Sequence, residues 1–215
     1  ILKFHEVTSG EILLNGVNVN DIDNKVLRNK IGFVPQKSVL FTGTIMDNIR
    51  YGKEDASFEE VKHACKIAEA SEFISNMKDG YNSIISQGGT NVSGGQKQRI
   101  SIARALVRKP DVYIFDDSFS ALDFKTDAKL RNSLKGETKD SIVIIVAQRV
   151  STIMNADRII VLDEGEIKGI GTHKDLLETS SVYKEIVLSQ FSGEEIAWVN
   201  KEWDMVEDPL WEQDL

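Results

Sequence analysis

Cysteine, long apolar runs and basic charge are all scarce in this chain, and each scarcity excludes something. One cysteine in 215 residues, Cys65, rules out an internal disulfide and suits a reducing compartment. The longest uninterrupted apolar run, residues 142–147, has six residues, far short of the ~20 that a membrane-spanning helix requires. Lys and Arg number 26 against 34 Asp and Glu, for a net charge of −8. Most of that deficit is local, because residues 193–215 hold eight acids and one lysine. The rest of the chain is close to neutral and has no basic stripe, which argues against a nucleic-acid partner. No internal repeat or low-complexity tract interrupts it. With 41% hydrophobic and 28% charged residues, it reads as one globular domain with a sizeable core that can be divided into lobes.

What is present centres on Asn91-Val92-Ser93-Gly94-Gly95-Gln96-Lys97-Gln98-Arg99. A Ser-Gly-Gly turn leads directly into a helical pattern, with Ile100, Ala103, Leu106 and Val107 on one face. Two glycines let backbone N–H groups point at one spot, and the start of a helix adds partial positive charge there. Such a turn can receive a phosphate; taken alone, it also describes an ordinary serine-capped helix.

Three apolar runs end in polar groups. Ile31–Val34 reads as a buried strand ending at Pro35-Gln36, and Val112–Phe115 as a buried parallel strand delivering Asp116 and Asp117. Residues 141–147 read as a second fully buried strand, ending in Gln148. In doubly wound sheets, ligands gather at the carboxyl ends of strands. Asn15-Gly16 and Asp163-Glu164-Gly165 mark hairpins. Ser57-Phe58-Glu59-Glu60 is a capping box opening a helix whose apolar face carries Val61, Ala64, Cys65 and Ala68; Cys65 and the neighbouring His63 read as structural. Residues 55–109 are mainly helical, a short helix follows Asp23, another opens at Thr172-His173, and Ile1–Phe4 reads as the end of a helix.

The run from Val92 to Gln96 resembles the signature motif of ATP-binding cassette (ABC) ATPases, and its companions stand at that family's spacings. The resemblance covers about residues 1–190. It implies an α/β fold: a RecA-like P-loop NTPase core with a mostly parallel sheet and an inserted ABC helical subdomain. It places the core in residues 1–37 and 110–190, the helical subdomain in 38–109, and an acidic tail with Trp198, Trp203 and Trp211 in 191–215. That tail reads either as poorly ordered or as a docking segment.

The same resemblance gives the site residues their roles. Val92, Ser93, Gly94, Gly95 and Gln96 would cover an ATP held by a partner subunit. Gln36 is similar to the Q-loop glutamine, which contacts Mg²⁺ and the water near the γ-phosphate, and Asp116 to the Walker B aspartate that holds Mg²⁺. Ser120, Ala121, Leu122 and Asp123 match the D-loop, which crosses to the partner; Ser120 and Asp123 also read as helix caps. The family has Glu as general base where this chain has Asp117, and a switch His where it has Gln148. The stretch from Leu40 to Gly52 looks like that of ABC exporters. At Ser86-Gln87-Gly88-Gly89 a charged pair usual in the family, on a segment touching the membrane domain, is replaced.

One expected motif is missing. The Walker A loop, G-x-x-x-x-G-K-[ST], does not occur: the only Gly-Lys pair is Gly52-Lys53, followed by Glu54, with Asp47 where the first glycine would stand. The chain therefore reads as a nucleotide-binding domain cut shortly after its Walker A, inactive alone and with apolar sheet edges unpaired. The resemblance implies ATP and Mg²⁺ as cofactors. Its expected partners are a second nucleotide-binding domain, in a heterodimer, and transmembrane domains, on the cytoplasmic side of the membrane. The altered Asp117 and Gln148 beside an intact signature resemble the degenerate half of a bacterial multidrug exporter. An ATP-binding regulatory subunit and a soluble, non-transport ABC ATPase are the alternatives.

Overall fold

The computed structural model describes residues 1–190, which fall into two compact units divided between Ala147 and Gln148. The acidic tryptophan tail expected at 191–215 lies outside the described residues.

The first unit is built on a three-stranded parallel sheet, β3 (Ile31–Val34), β6 (Val112–Asp116) and β7 (Ile142–Val146), with β6 in the middle. Its register pairs Val34 with Phe115 and Asp116 with Val146. Successive side chains of a strand face opposite ways, and the core divides accordingly. Val34, Tyr113 and Phe115 join one cluster, whereas Ile31, Val112 and Ile114 join another with Val19 and Leu27. Parallel neighbours need long crossovers. The crossover from β6 to β7 is α6 (Phe124–Glu137), and that from β3 to β6 contains α2 (Ile45–Arg50), α3 (Phe58–Ile67), α4 (Ser71–Ser75) and α5 (Gly94–Leu106). The short pair β4 (Gly43–Thr44) and β5 (Ile84–Ile85) ties the segment before α2 to the segment before α5. The hairpin of β1 (Leu13–Leu14) and β2 (Val17–Asn18) turns at Asn15-Gly16, both with positive φ, and α1 (Asn24–Asn29) follows, capped by Asp23.

Helix α5 is the spine of the helical region, burying Ile100, Ile102, Ala103, Ala105 and Leu106. Its Arg104 donates to the carbonyls of Asn48 (2.7 Å) and Val39 (2.9 Å) and to Asn48 Oδ1 (2.9 Å), with Phe41 and Tyr51 rings beside it. Burial pushes its guanidinium down to about 10. The Ser57–Glu60 capping box forms as expected, with Lys53 Nζ 2.5 Å from Glu60 Oε1.

Two sequence expectations give way. Residues 1–4 are not helical: Lys3 sits in the left-handed region, φ +57°, which a right-handed helix does not admit, and its ammonium donates to the Asn20 and Ile22 carbonyls. Strand β7 is not fully buried: Ile142 is 61% and Val146 52% exposed. Its apolar run marks a strand made to be covered, but among the described residues it pairs only with β6.

The second unit contains α7 (Val150–Ile153), the hairpin of β8 (Ile159–Asp163) and β9 (Glu166–Gly171), α8 (His173–Thr179) and α9 (Ser181–Gln190). Val150, Ile159, Val161, Leu176, Tyr183 and Val187 form its core. The hairpin turns at Glu164 and Gly165, both with positive φ. Within the core, His173 Nδ1 lies 2.7 Å from the Tyr183 hydroxyl.

Candidate functional site

The carboxyl end of the parallel sheet gathers the predicted polar groups of the first unit. Asp116 is the last paired residue of β6. At Asp117 the chain leaves the sheet in the left-handed region, φ +44°, a conformation that costs a non-glycine residue about 1–3 kcal/mol. Two bonds over-determine it: the Asp117 N–H donates to the Val146 carbonyl (2.8 Å), and Ser120 Oγ donates to the Asp117 carbonyl (2.9 Å). The carboxylate is thereby aimed at Gln36, two residues past β3, whose Nε2 donates to Asp117 Oδ2 at 3.1 Å. Gln36 and Asp117 are 81 residues apart in sequence.

Ser118 holds these two strand ends together. Its side chain is fully buried, and Oγ donates to the Val34 carbonyl at 2.9 Å, with the Asp116 carbonyl at 3.3 Å. Sequence reading passed over it. The available signal was a small hydroxyl directly after two strand-end acids and before the buried Phe119.

The signature turn is a helix cap with spare donors. Ser93 is the N-cap of the 13-residue α5, and with Gln96 it completes a capping box: Gln96 N–H donates to Ser93 Oγ (3.2 Å) and Ser93 N–H to Gln96 Oε1 (2.9 Å). Lys97 N–H donates to the Ser93 carbonyl. A helix start presents four orphan N–H groups; the capping box uses those of Ser93 and Gln96, leaving those of Gly94 and Gly95 uncommitted. A Cβ at Gly94 would meet nothing within 4 Å, whereas one at Gly95 would lie 3.2 Å from the Ala121 carbonyl. Gly94 thus keeps the turn accessible, and Gly95 lets the segment 120–123 pack against it. Val92 and Leu122 are buried beneath. Asp123 is the N-cap of α6; hydrogen bonds from the Thr126 backbone and hydroxyl hold its carboxyl below the usual range.

Gln148 belongs to the second unit, two residues beyond β7, with an exposed side chain. Its carbonyl accepts from Gln190 Nε2 at 2.7 Å, while Gln190 Oε1 accepts the Val150 N–H at 2.9 Å. One α9 amide therefore fixes the backbone on both sides of Arg149.

These groups fit phosphate and a hard cation. Two uncommitted amides and a hydroxyl at the start of a long helix suit a phosphate oxygen. Gln36 spends an amide N–H on Asp117, which leaves its Oε1 as a free acceptor at the same strand ends that carry the Asp116 carboxylate. A carboxylate and a carbonyl oxygen suit Mg²⁺, which takes few protein ligands and completes its shell with water and substrate phosphates. No group of three His, Cys, Asp or Glu that could hold a metal forms among the described residues. A separate concavity of about 240 Å³ beside α3 and α6 contains none of these residues; there His63 Nε2 lies 2.9 Å from Glu137 Oε2.

Comparison with known proteins agrees with this geometry. The family model described as ABC transporter matches residues 1–120. The chain is 46% identical over 194 residues to the uncharacterized ABC transporter ATP-binding protein YfiB of Bacillus subtilis (strain 168), covering 90% of this chain and 34% of that protein. It is 44% identical to the ATP-dependent lipid A-core flippase of Haemophilus influenzae (strain 86-028NP), covering 90% and 33%. Among solved structures, a bacterial Atm1-family ABC exporter with ATP bound superposes with a TM-score of 0.86 at 38% identity, covering 88% of this chain and 33% of that one. The chain spans about a third of the length of these relatives. A parallel sheet delivering acids at its carboxyl end, a glycine-opened helix start facing outward and a match over more than half its residues lead to one assignment: the chain belongs to the ABC transporter family and has the α/β fold of an exporter's nucleotide-binding domain.

Proposed function

We propose that this chain is part of the ATP-binding and ATP-hydrolysing machinery of an exporter, and that it contributes unequally to the two nucleotide sites such a machine needs. The supporting observation is the open start of α5: the Gly94 and Gly95 amides are uncommitted, and Gly94 has no neighbour where a side chain would project. There Ser93, Gly94 and Gly95 close over a triphosphate held by a second nucleotide-binding domain, with Val92 and Gln96 fixing the turn. Ser120 to Asp123, packed on Gly95, make the accompanying contact to that partner.

The chain's own hydrolytic side is weaker. Asp116 and Gln36 Oε1 hold Mg²⁺, which when bound neutralises charge on the phosphates. Asp117 takes the position of a general base, but its carboxylate falls about 1.5 Å short of a glutamate's reach, and a misplacement of ~1 Å costs ~10²-fold in rate. The Gln36 amide also occupies one of its oxygens. Gln148 can donate a hydrogen bond to phosphate but is never cationic. The phosphate cradle of a Walker A loop is not among these residues, so the 215 residues alone do not turn over ATP. In the complete protein, residues 1–37 with 110–190 act as the core and 38–109 as the helical subdomain facing transmembrane domains, on the cytoplasmic side of the membrane.

Two substitutions in the complete transporter test this. Ser93→Arg is expected to lower ATP turnover by about 10²-fold, the scale of removing preorganised donors from a transition state. Asp117→Asn is expected to leave most turnover intact. The reverse pattern overturns the assignment. Single-turnover hydrolysis at this chain's own site distinguishes a slow enzyme from a purely regulatory ATP-binding subunit, the reading that Asp117 and Gln148 also support.

A further inference from the structure

Gln98, in the second turn of α5, is an amide buried to 2% exposure between the charged Lys97 and Arg99. Both ends of its side chain are engaged by the loop after β3. Ser38 Oγ donates to Gln98 Oε1 at 2.5 Å, and Gln98 Nε2 donates to the Pro35 carbonyl at 3.4 Å. Pro35 and Ser38 bracket Gln36, so one helix side chain holds the loop on both sides of the residue that reaches Asp117.

A second connection returns to the same helix. Ser120 Oγ holds the Asp117 carbonyl, and the neighbouring Ala121 carbonyl lies against Gly95. Asp117 is therefore joined to α5 twice: through Gln36 and Gln98, and through Ser120, Ala121 and Gly95. Along α5, Gln98 stands about 7.5 Å from Ser93. A buried amide cannot give up its partners without leaving polar groups unpaired away from water. The loop from Pro35 to Ser38 and the start of α5 consequently move as one body.

We propose that Gln98 couples the two nucleotide half-sites of this chain, transmitting the state of the Gln36–Asp117 pair to the lid formed by Ser93 and its glycines. The inference rests on the reading of α5 as a lid for a partner's triphosphate. Gln98 touches neither phosphate nor metal; it is a positioning residue, and its effect on turnover passes through Gln36 and Ser93.

The test is ATP turnover of the complete transporter, with Gln36→Ala introduced into this chain in two backgrounds. With Gln98 present, Gln36→Ala is expected to lower kcat about fivefold or more, the lower end of ordinary coupling between sites. After Gln98→Leu, it is expected to produce no further loss. Equal sensitivity in both backgrounds overturns the proposal, as does insensitivity with Gln98 in place. Ser38→Ala removes one of the two bonds from a partly exposed position and so spares folding; it is expected to weaken the response to Gln36→Ala, and Ser38→Thr, which keeps the hydroxyl, to restore it. An undiminished response in Ser38→Ala counts against the coupling. Ser93→Arg separates the two levels of the argument. If it leaves turnover intact, the lid reading fails and takes the inference with it; if it abolishes turnover while Gln98→Leu keeps full sensitivity to Gln36→Ala, only the coupling fails.

Discussion

Gly52 shows how much a single missing side chain can decide. It follows α2, and a Cβ built on it would lie 2.1 Å from the Arg104 carbonyl and 3.2 Å from Val107 Cγ1. The Arg104 carbonyl belongs to the last turn of α5, where Ala103, Ala105 and Leu106 are buried around it. In the sequence this glycine opens the only Gly-Lys pair, which invites a phosphate-loop reading that its flanks refuse. Its physical role is the close approach of α2 to α5. Gly52→Ala is expected to destabilise the first unit by about 1–3 kcal/mol, the usual cost of overpacking, read as a lower denaturant midpoint. The same substitution at Gly94, where nothing lies within 4 Å, is expected to shift that midpoint far less.

At the scale of elements, what could be read from sequence was whatever is local. The hairpins at Asn15-Gly16 and Glu164-Gly165 were legible because Asn15, Gly16 and Gly165 suit the positive φ such turns need; Glu164 adopts it without that preference. Strands β3 and β6 were legible as short apolar runs ending in polar groups, and the caps at Ser57 and Ser93 as fixed spacings. The rest depended on partners far along the chain. Nothing near Gln36 or Asp117 announces that they touch, and the polar anchors Ser118 and Gln98 look like unremarkable residues until their carbonyl partners arrive from β3 and the loop beyond it. The run of β7 revealed a strand but not its coverage, which belongs to the sheet. Helix α8 carries a similarly non-local feature. His173 was read as a helix-start residue; it is also buried to 2% exposure against Tyr183, and burial lowers its pKa below 6.5. The unfolded chain therefore binds a proton that the folded one refuses as pH falls through 6.5, so stability is lost on the acid side. The melting temperature of the second unit is expected to drop between pH 7.5 and 5.5, with a flatter profile in His173→Gln.

Taken whole, the chain has well-filled cores and poorly covered strands. In the first unit, Ile142 and Val146 of β7 stand 61% and 52% exposed; in the second, Ile160 and Leu162 of β8 are exposed on their hairpin. Both are the sort of apolar strand surface that soluble proteins blunt with charge or cover with further structure. Their sequences resemble strands meant to be covered, with no charged residue inside the runs Ile142–Val146 and Ile159–Leu162. Neither exposure opens the site: Asp116 and Gln36 are tied to β3, β6 and Ser118, Asp117 is held by the backbone carbonyl of Val146 and not by that residue's exposed side chain, and the α5 cap is fixed by its own helix. The weakness instead concerns how these 215 residues behave when produced alone. Apolar strands open on one side recruit other chains, so the purified chain is expected to elute above monomer mass and to grow with concentration in light scattering. Ile142→Lys, which puts a charge on the open strand without touching a core contact of β6, is expected to shift that distribution toward monomer. Leu162→Lys is expected to do the same for the second unit, and the double variant to exceed either alone. A chain that stays monomeric at every concentration would mean that these strands are already covered in solution.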